Sequence, residues 1–285
     1  MLNAISVDVE EYFHVEAFAG RIDPQSWGKF ESRVERSVDS ILKLFQVHDT
    51  KATFFILGWI AERRPGLVRA IAGAGHEIGC HGYGHQRIHR QTKEQFREDI
   101  GKAAGLLADL AGKPVRCYRA PSFSVTGTTL WALDVLAEEK FDVDSSIFPV
   151  RHDLYGMPGG KRFPYWETTP GGKQIFEFPP STIRFANNNW PAAGGGYLRL
   201  FPYGFTRWAI RHLNEKEKHP AMVYFHPWEL DPAQPRVSAP LRSKFRHYVN
   251  LSRTEDKIGS LLRDFRFGTV SDVCSTLETY REQRA

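Results

Sequence analysis

Short apolar runs alternate with amphipathic stretches of helical period through the first half of the chain, and few folds accommodate that rhythm. AISVDV (4–9), KATFFIL (51–57), HEIGCHG (76–82) and VRCYRAP (115–121) read as strands. Between them lie helix patterns. Val34, Val38, Ile41, Leu42 and Phe45 share one face of SRVERSVDSILKLFQ. PGLVRAIAGAG opens near Pro65 and ends at glycine. Thr92 and Gln95 have capping-box spacing ahead of a helix that Gly112 ends. GTTLWALDVLAEEK is a fourth helix. Strands that alternate with helices of this length need crossover connections, which implies a parallel sheet and an α/β class.

The rhythm breaks between about 142 and 200, where YGMPGGKRFPYWETTPGG and NNNWPAAGGG are rich in Gly, Pro and aromatics. These read as long ordered loops and short hairpins, with QIFEFPPSTIRF as strand material. Long loops within a compact domain are often functional. The alternation resumes with the helix FTRWAIRHLNEKE, the strand AMVYFH, a helix around 240–265, a short strand near RFGTV and a final helix. One domain spanning 1–285 with an insertion is expected. Its composition, 41% hydrophobic and 25% charged, is that of an ordinary globular protein.

The polar residues of interest share a position. Asp8 and Glu10 end the first strand, His81 and His85 follow the third, Arg119 ends the fourth, and His226 ends the late strand. In parallel α/β barrels such strand ends converge on one mouth. HGYGH places two imidazoles four residues apart, which with a carboxylate makes a His₂-carboxylate site suited to Zn²⁺. Strand alternation puts Asp8 and Glu10 on one face and turns Glu11 to the other. One of the first two can bind the metal while the other stays a base, and Glu11 is expected at the surface or behind the site. Cys80, beside His81, points the opposite way by the same alternation. Arg119 is placed to keep a catalytic carboxylate ionised. His226, before Pro227, suits a general acid.

In order, SVDVEEYF, HGYGH, RAPS and YFH resemble the motifs of polysaccharide deacetylases of the NodB-homology type, carbohydrate esterase family 4. VDVEEYFHV, DSSIFP, GGGYLRLFP and the region after HPWELDP are more similar to the branch tied to bacterial exopolysaccharide loci. The resemblance covers about residues 5–228 and implies a distorted (β/α)₇-type barrel with a loop-rich insertion and a C-terminal helical extension over 229–285. It also implies metal-dependent removal of N-acetyl groups from the amino sugars of an oligo- or polysaccharide. Carried over, Asp8 is the base held by Arg119, His81 and His85 bind the metal, usually zinc, and His226 is the acid. Ser122 supplies an oxyanion-holding N–H, and Asp144 steadies the catalytic histidine. The family's commoner first motif has two adjacent aspartates. Here Val9 intervenes, and a related minor pattern makes Glu10 the ligand. Tyr155, Trp166, Trp190, Tyr197 and Trp228 are candidates for stacking on sugars.

Three rival readings stand beside this one: a cyclic-ureide hydrolase of the allantoinase-like kind, an inactive carbohydrate-binding protein, and a metal-stabilised scaffold or partner-binding protein in a polymer-assembly complex. The net charge of +5 is scattered among acids, which argues against nucleic acid as partner. It is compatible with an acidic polymer, an anionic membrane surface or a biosynthetic complex. No leader and no spanning segment is visible, so a cytoplasmic protein with three buried free thiols is expected.

Overall fold

The computed structural model describes residues 1–152 and 155–283. The apolar runs of the first half become β1 (Leu2–Val9), β2 (Thr53–Ile56), β3 (Glu77–Cys80), β4 (Cys117–Tyr118) and β5 (Val143–Asp144). The later strands are β6 (Tyr165–Thr168), β7 (Gln174–Glu177), β8 (Thr182–Phe185), β9 (Asn188–Pro191), β10 (Met222–Phe225) and β11 (Arg266–Gly268). Among the described residues, parallel pairing runs in the order β10-β1-β2-β3-β4-β5-β7. β6 adds an antiparallel edge, and β8 with β9 forms a separate hairpin. The chain beyond β7 turns back onto β10, where the Met222 N–H donates to Ser181 Oγ at 2.7 Å. The result is the distorted barrel that the strand–helix rhythm and the motifs implied.

Alternation along β1 sorts its side chains. Ile5, Val7 and Val9 join the core between sheet and helices. Ala4 belongs to the interior cluster with Phe55, Phe176 and Met222. Ser6 and Asp8 share its face, so β1 carries an apolar residue low in the barrel and polar ones toward the mouth. Cys80 lies among the helix-facing core residues, away from the barrel axis, and all three cysteines are buried and unpaired.

The segment after residue 228 is woven into the barrel. β11 pairs with the first residues of β1, and Val270, Val273 and Cys274 plug the interior at the strands' N-terminal ends. The Val270 N–H donates to Thr53 Oγ1 at 2.7 Å. The helix expected around 240–265 is two helices, Leu241–Tyr248 and Thr254–Asp264. Asn250, in the left-handed region at φ +54°, breaks it, a conformation Asn adopts more readily than most residues. No described helix is long and apolar enough to cross a membrane.

Candidate active site

Arg119 is the post around which the mouth is built. Its side chain is fully buried. Nη1 donates to Asp8 Oδ1 at 2.6 Å and to Ser6 Oγ at 2.7 Å. Nη2 donates to Ser145 Oγ at 2.8 Å and Nε to the Ser145 carbonyl at 3.2 Å. The guanidinium lies over the Phe55 ring at 4.2 Å. A buried charge without such partners costs several kcal/mol, so Arg119 and Asp8 hold each other in place.

The HGYGH segment is a tight loop. Gly82 sits at φ +75° and His85, a non-glycine residue, at φ +52°. Asp99, from the helix Lys93–Ala111, pins it by accepting from the Tyr83 N–H at 2.7 Å and the Gly84 N–H at 3.2 Å. Nothing in the local sequence pattern singles Asp99 out, because it reaches the loop only through the fold. His81 Nδ1 donates to the Arg119 carbonyl at 2.7 Å, which leaves Nε2 free to accept a metal ion. Glu10 Oε1 lies 3.1 Å from His81 Nε2 and 3.0 Å from His85 Nε2. These ligand atoms all fall within 4.8 Å of one another. Two nitrogens and one carboxylate oxygen converging at this spacing, with one imidazole oriented from behind, fit a divalent ion such as Zn²⁺.

Glu10 and Glu11 part company as alternation requires. Burial opposes ionisation of Glu10, but His85, His226 and His81 outweigh it and hold the carboxyl well below its usual range. Glu11 points away, yet it is not a surface group: it is only 1% exposed. Its Oε1 accepts from the Arg33 N–H at 3.1 Å and the Val34 N–H at 3.3 Å, capping the helix Val34–Val47 from a distance. Burial raises its pKa, against those hydrogen bonds.

His226 faces this cluster from β10, its Nε2 4.0 Å from Asp8 Oδ2 and 3.9 Å from Glu10 Oε1. Burial works against the imidazolium. Glu10, Glu229 and Asp8 outweigh it and raise the pKa to about 9. The carboxylate on Nδ1 is Glu229, at 2.6 Å, and not Asp144. Asp144 lies inside the barrel, where it accepts from Ser146 and pairs in register with Glu177 across β5 and β7. Its position near the DSSIF run misled because the histidine's partner comes three residues after it in sequence, a spacing that closes a short turn. Glu229 is gripped in turn by the buried Arg199, whose Nε donates to Oε2 at 2.5 Å. Arg199 comes from GGGYLRL. Gly194 lets that segment approach β10, since a Cβ there would lie 2.0 Å from the Tyr224 ring.

A cavity of about 690 Å³ opens over these groups. Ser122 lines it, with its backbone at φ +54° and Phe123 next to it at +49°. Successive left-handed non-glycine residues are strained, and such strain gathers at functional sites. Tyr155, Tyr197 and Trp228 line the cavity as well. Trp228 stacks on His226 at 5.1 Å and so also fixes the imidazole. Trp166 packs instead on Tyr280, and Trp190 lies outside the cavity on β9.

Residues 26–137 match the family model described as polysaccharide deacetylase, and residues 145–275 match a domain of unknown function (DUF3473). Over 95 residues the chain is 37% identical to a peptidoglycan-N-acetylglucosamine deacetylase of Bacillus cereus, covering 33% of this chain and 34% of that one. Over 148 residues it is 28% identical to a peptidoglycan deacetylase of Helicobacter pylori, covering 52% and 50% respectively. The chain thus spans about a third to a half of the length of these curated relatives. The crystal structure of a presumed polysaccharide deacetylase from Mycobacterium smegmatis superposes with a TM-score of 0.61 at 19% identity, covering 99% of this chain and 92% of that one. At that identity the likeness speaks to the fold.

Proposed function

We propose that this chain, whose residues 26–137 match the family model described as polysaccharide deacetylase, is a metal-dependent hydrolase that removes N-acetyl groups from amino sugars of a polysaccharide or its precursor. The setting we propose is exopolysaccharide biosynthesis, on the motif resemblance of VDVEEYFHV and GGGYLRLFP. One observation carries the chemistry. A carboxylate paired with a buried arginine, three converging ligand atoms and the His226 imidazole face one another across a single mouth.

Glu10, His81 and His85 would hold the ion, which as a Lewis acid polarises a carbonyl and acidifies water. Asp8, fixed by Arg119, takes the proton of the attacking water. The Ser122 N–H at the cavity wall helps hold the negative charge that develops on the carbonyl oxygen. His226 then protonates the departing amine through Nε2, because its Nδ1–H is committed to Glu229. The pKa of about 9 keeps that proton available at neutral pH. A cation on Glu10 would cancel part of this support, leaving Glu229 as the main carboxylate sustaining the imidazolium. Acetate and a free amino sugar result. Tyr197 and Trp228 are placed to contact the sugar.

The test is acetate release from N-acetylated chitooligosaccharides by zinc-loaded and chelator-treated protein, with allantoin as a rival substrate. Turnover should require the ion and spare allantoin. Full turnover after chelation, or hydrolysis of allantoin alone, would sink the proposal.

A further inference from the structure

One segment of the chain carries basic residues with no acid among them. Between Asp231 and Glu255 the sequence holds Arg236, Arg242, Lys244, Arg246 and Arg253 and no acidic residue. The helix Leu241–Tyr248 lies at its centre. Its inward residue is His247, buried against Trp228 at a ring distance of 4.2 Å. Its outward side carries Leu241, Arg242, Phe245 and Arg246, all exposed. Leu241 is 85% exposed and Phe245 60%, one helical turn apart on the same face. The helix is held in a fixed pose: Arg199 donates to the carbonyls of Arg246 at 2.9 Å, His247 at 2.9 Å and Val249 at 3.0 Å. Arg242, Phe245 and Arg246 also form part of the cavity wall, as does Leu200, which is 45% exposed.

We infer that this face is a docking surface for an anionic lipid bilayer, and that it sets the mouth of the cavity against the membrane. Two large apolar side chains flanked by arginines on one helical face, in an acid-free basic segment, match what a bilayer interface offers. The apolar side chains enter the acyl boundary and the cations meet the headgroups. A soluble polyanion would reward the arginines and leave Leu241 in water, so the leucine favours lipid. Docking here would confine the protein to substrates presented at a membrane, such as a glycan on a lipid carrier. The inference goes beyond the proposed reaction and does not depend on it, because docking is read without turnover.

The experiment is co-sedimentation of the zinc-loaded protein with vesicles of phosphatidylcholine alone and of phosphatidylcholine with phosphatidylglycerol. Wild type should pellet with the anionic vesicles, release with salt, and stay in solution with the neutral ones. Leu241→Ser with Phe245→Ser should weaken partitioning at least about tenfold while the melting temperature and bound zinc stay at wild-type values. Arg242→Gln with Arg246→Gln should weaken it too and flatten the salt dependence. Wild type that remains in solution with anionic vesicles overturns the inference. So does a serine variant that pellets like wild type. Loss on removing the arginines but not on removing Leu241 and Phe245 would assign the face to a soluble polyanion, and overturns it equally.

Discussion

Two fully buried arginines organise the two sides of the mouth, and they do so differently. Arg119 holds Asp8 and Ser6 on β1 and Ser145 after β5, so it ties strands to one another inside the barrel. Arg199 holds Glu229 with one nitrogen and the end of the helix Leu241–Tyr248 with the others, so it ties the acid side of the site to an outer element. The first side lies on strand ends that the sheet fixes. The second lies on loops and short helices that the sheet does not fix, and a buried ion pair replaces the missing ladder. The side with Asp8, Glu10 and His81 is therefore rigid by topology, while the His226 side is rigid only as long as Arg199 is in place.

The sharpest break of that contrast is Glu10→Ala. It should take bound zinc to background in elemental analysis and turnover with it, whereas Glu11→Ala keeps the metal and costs about 1 kcal/mol through the lost helix cap. Next come the arginines. Arg119→Met and Arg199→Met each strand a buried carboxylate and should each cost about 3–5 kcal/mol in urea unfolding. Zinc should survive in the Arg199 variant and weaken in the Arg119 variant, because the Arg119 side chain anchors the backbone whose carbonyl orients His81. Equal zinc loss in both would erase the distinction between the two sides.

Glu229→Gln tests the acid side alone. The folded-state pKa of His226 is raised, so the imidazolium is present below it and activity falls as pH rises through it. Removing the Glu229 charge should bring that fall to lower pH, seen in the kcat–pH profile, with metal content unchanged.

The smallest effect lies beneath both sides, in the Asp144–Glu177 pair. Burial raises Asp144 to about 6, and burial with the Asp144 charge raises Glu177 further. Asp144 Oδ2 and Glu177 Oε2 have no other hydrogen-bond partner, which fits a shared proton. The folded state thus keeps protons that the unfolded chain loses near pH 4, so stability falls as pH rises from about 4 through the raised pKa values of the pair. Asp144→Asn supplies an amide donor in the proton's place. It should flatten this dependence and add about 1–3 kcal/mol at pH 8 in urea unfolding.

Much of the strand–helix order was legible because β1, β2 and β3 are buried on both faces and their helices show one apolar stripe each. That Asp8, Glu10, His81, His85, Arg119 and His226 gather at one mouth was legible because each stands at or just after a strand end. The partner of His226 was not. Asp144 had a motif's position but lies inside the barrel beside Glu177, and Glu229 owed its place to a turn no periodicity reveals. Glu11 faces away as alternation requires, but of its two expected places the surface is excluded by its burial, because alternation gives direction and not depth.

By itself the sequence determined the α/β alternation, the face each β1 carboxylate occupies and the two imidazoles of HGYGH, because those follow from periods of two and four along one chain segment. Only the tertiary structure decided which carboxylate supports which cation. Arg119 meets Asp8 across 111 positions and Arg199 meets Glu229 across 30. The energy of a buried pair depends on who is near in space after the chain has closed, and no local pattern carries that distance.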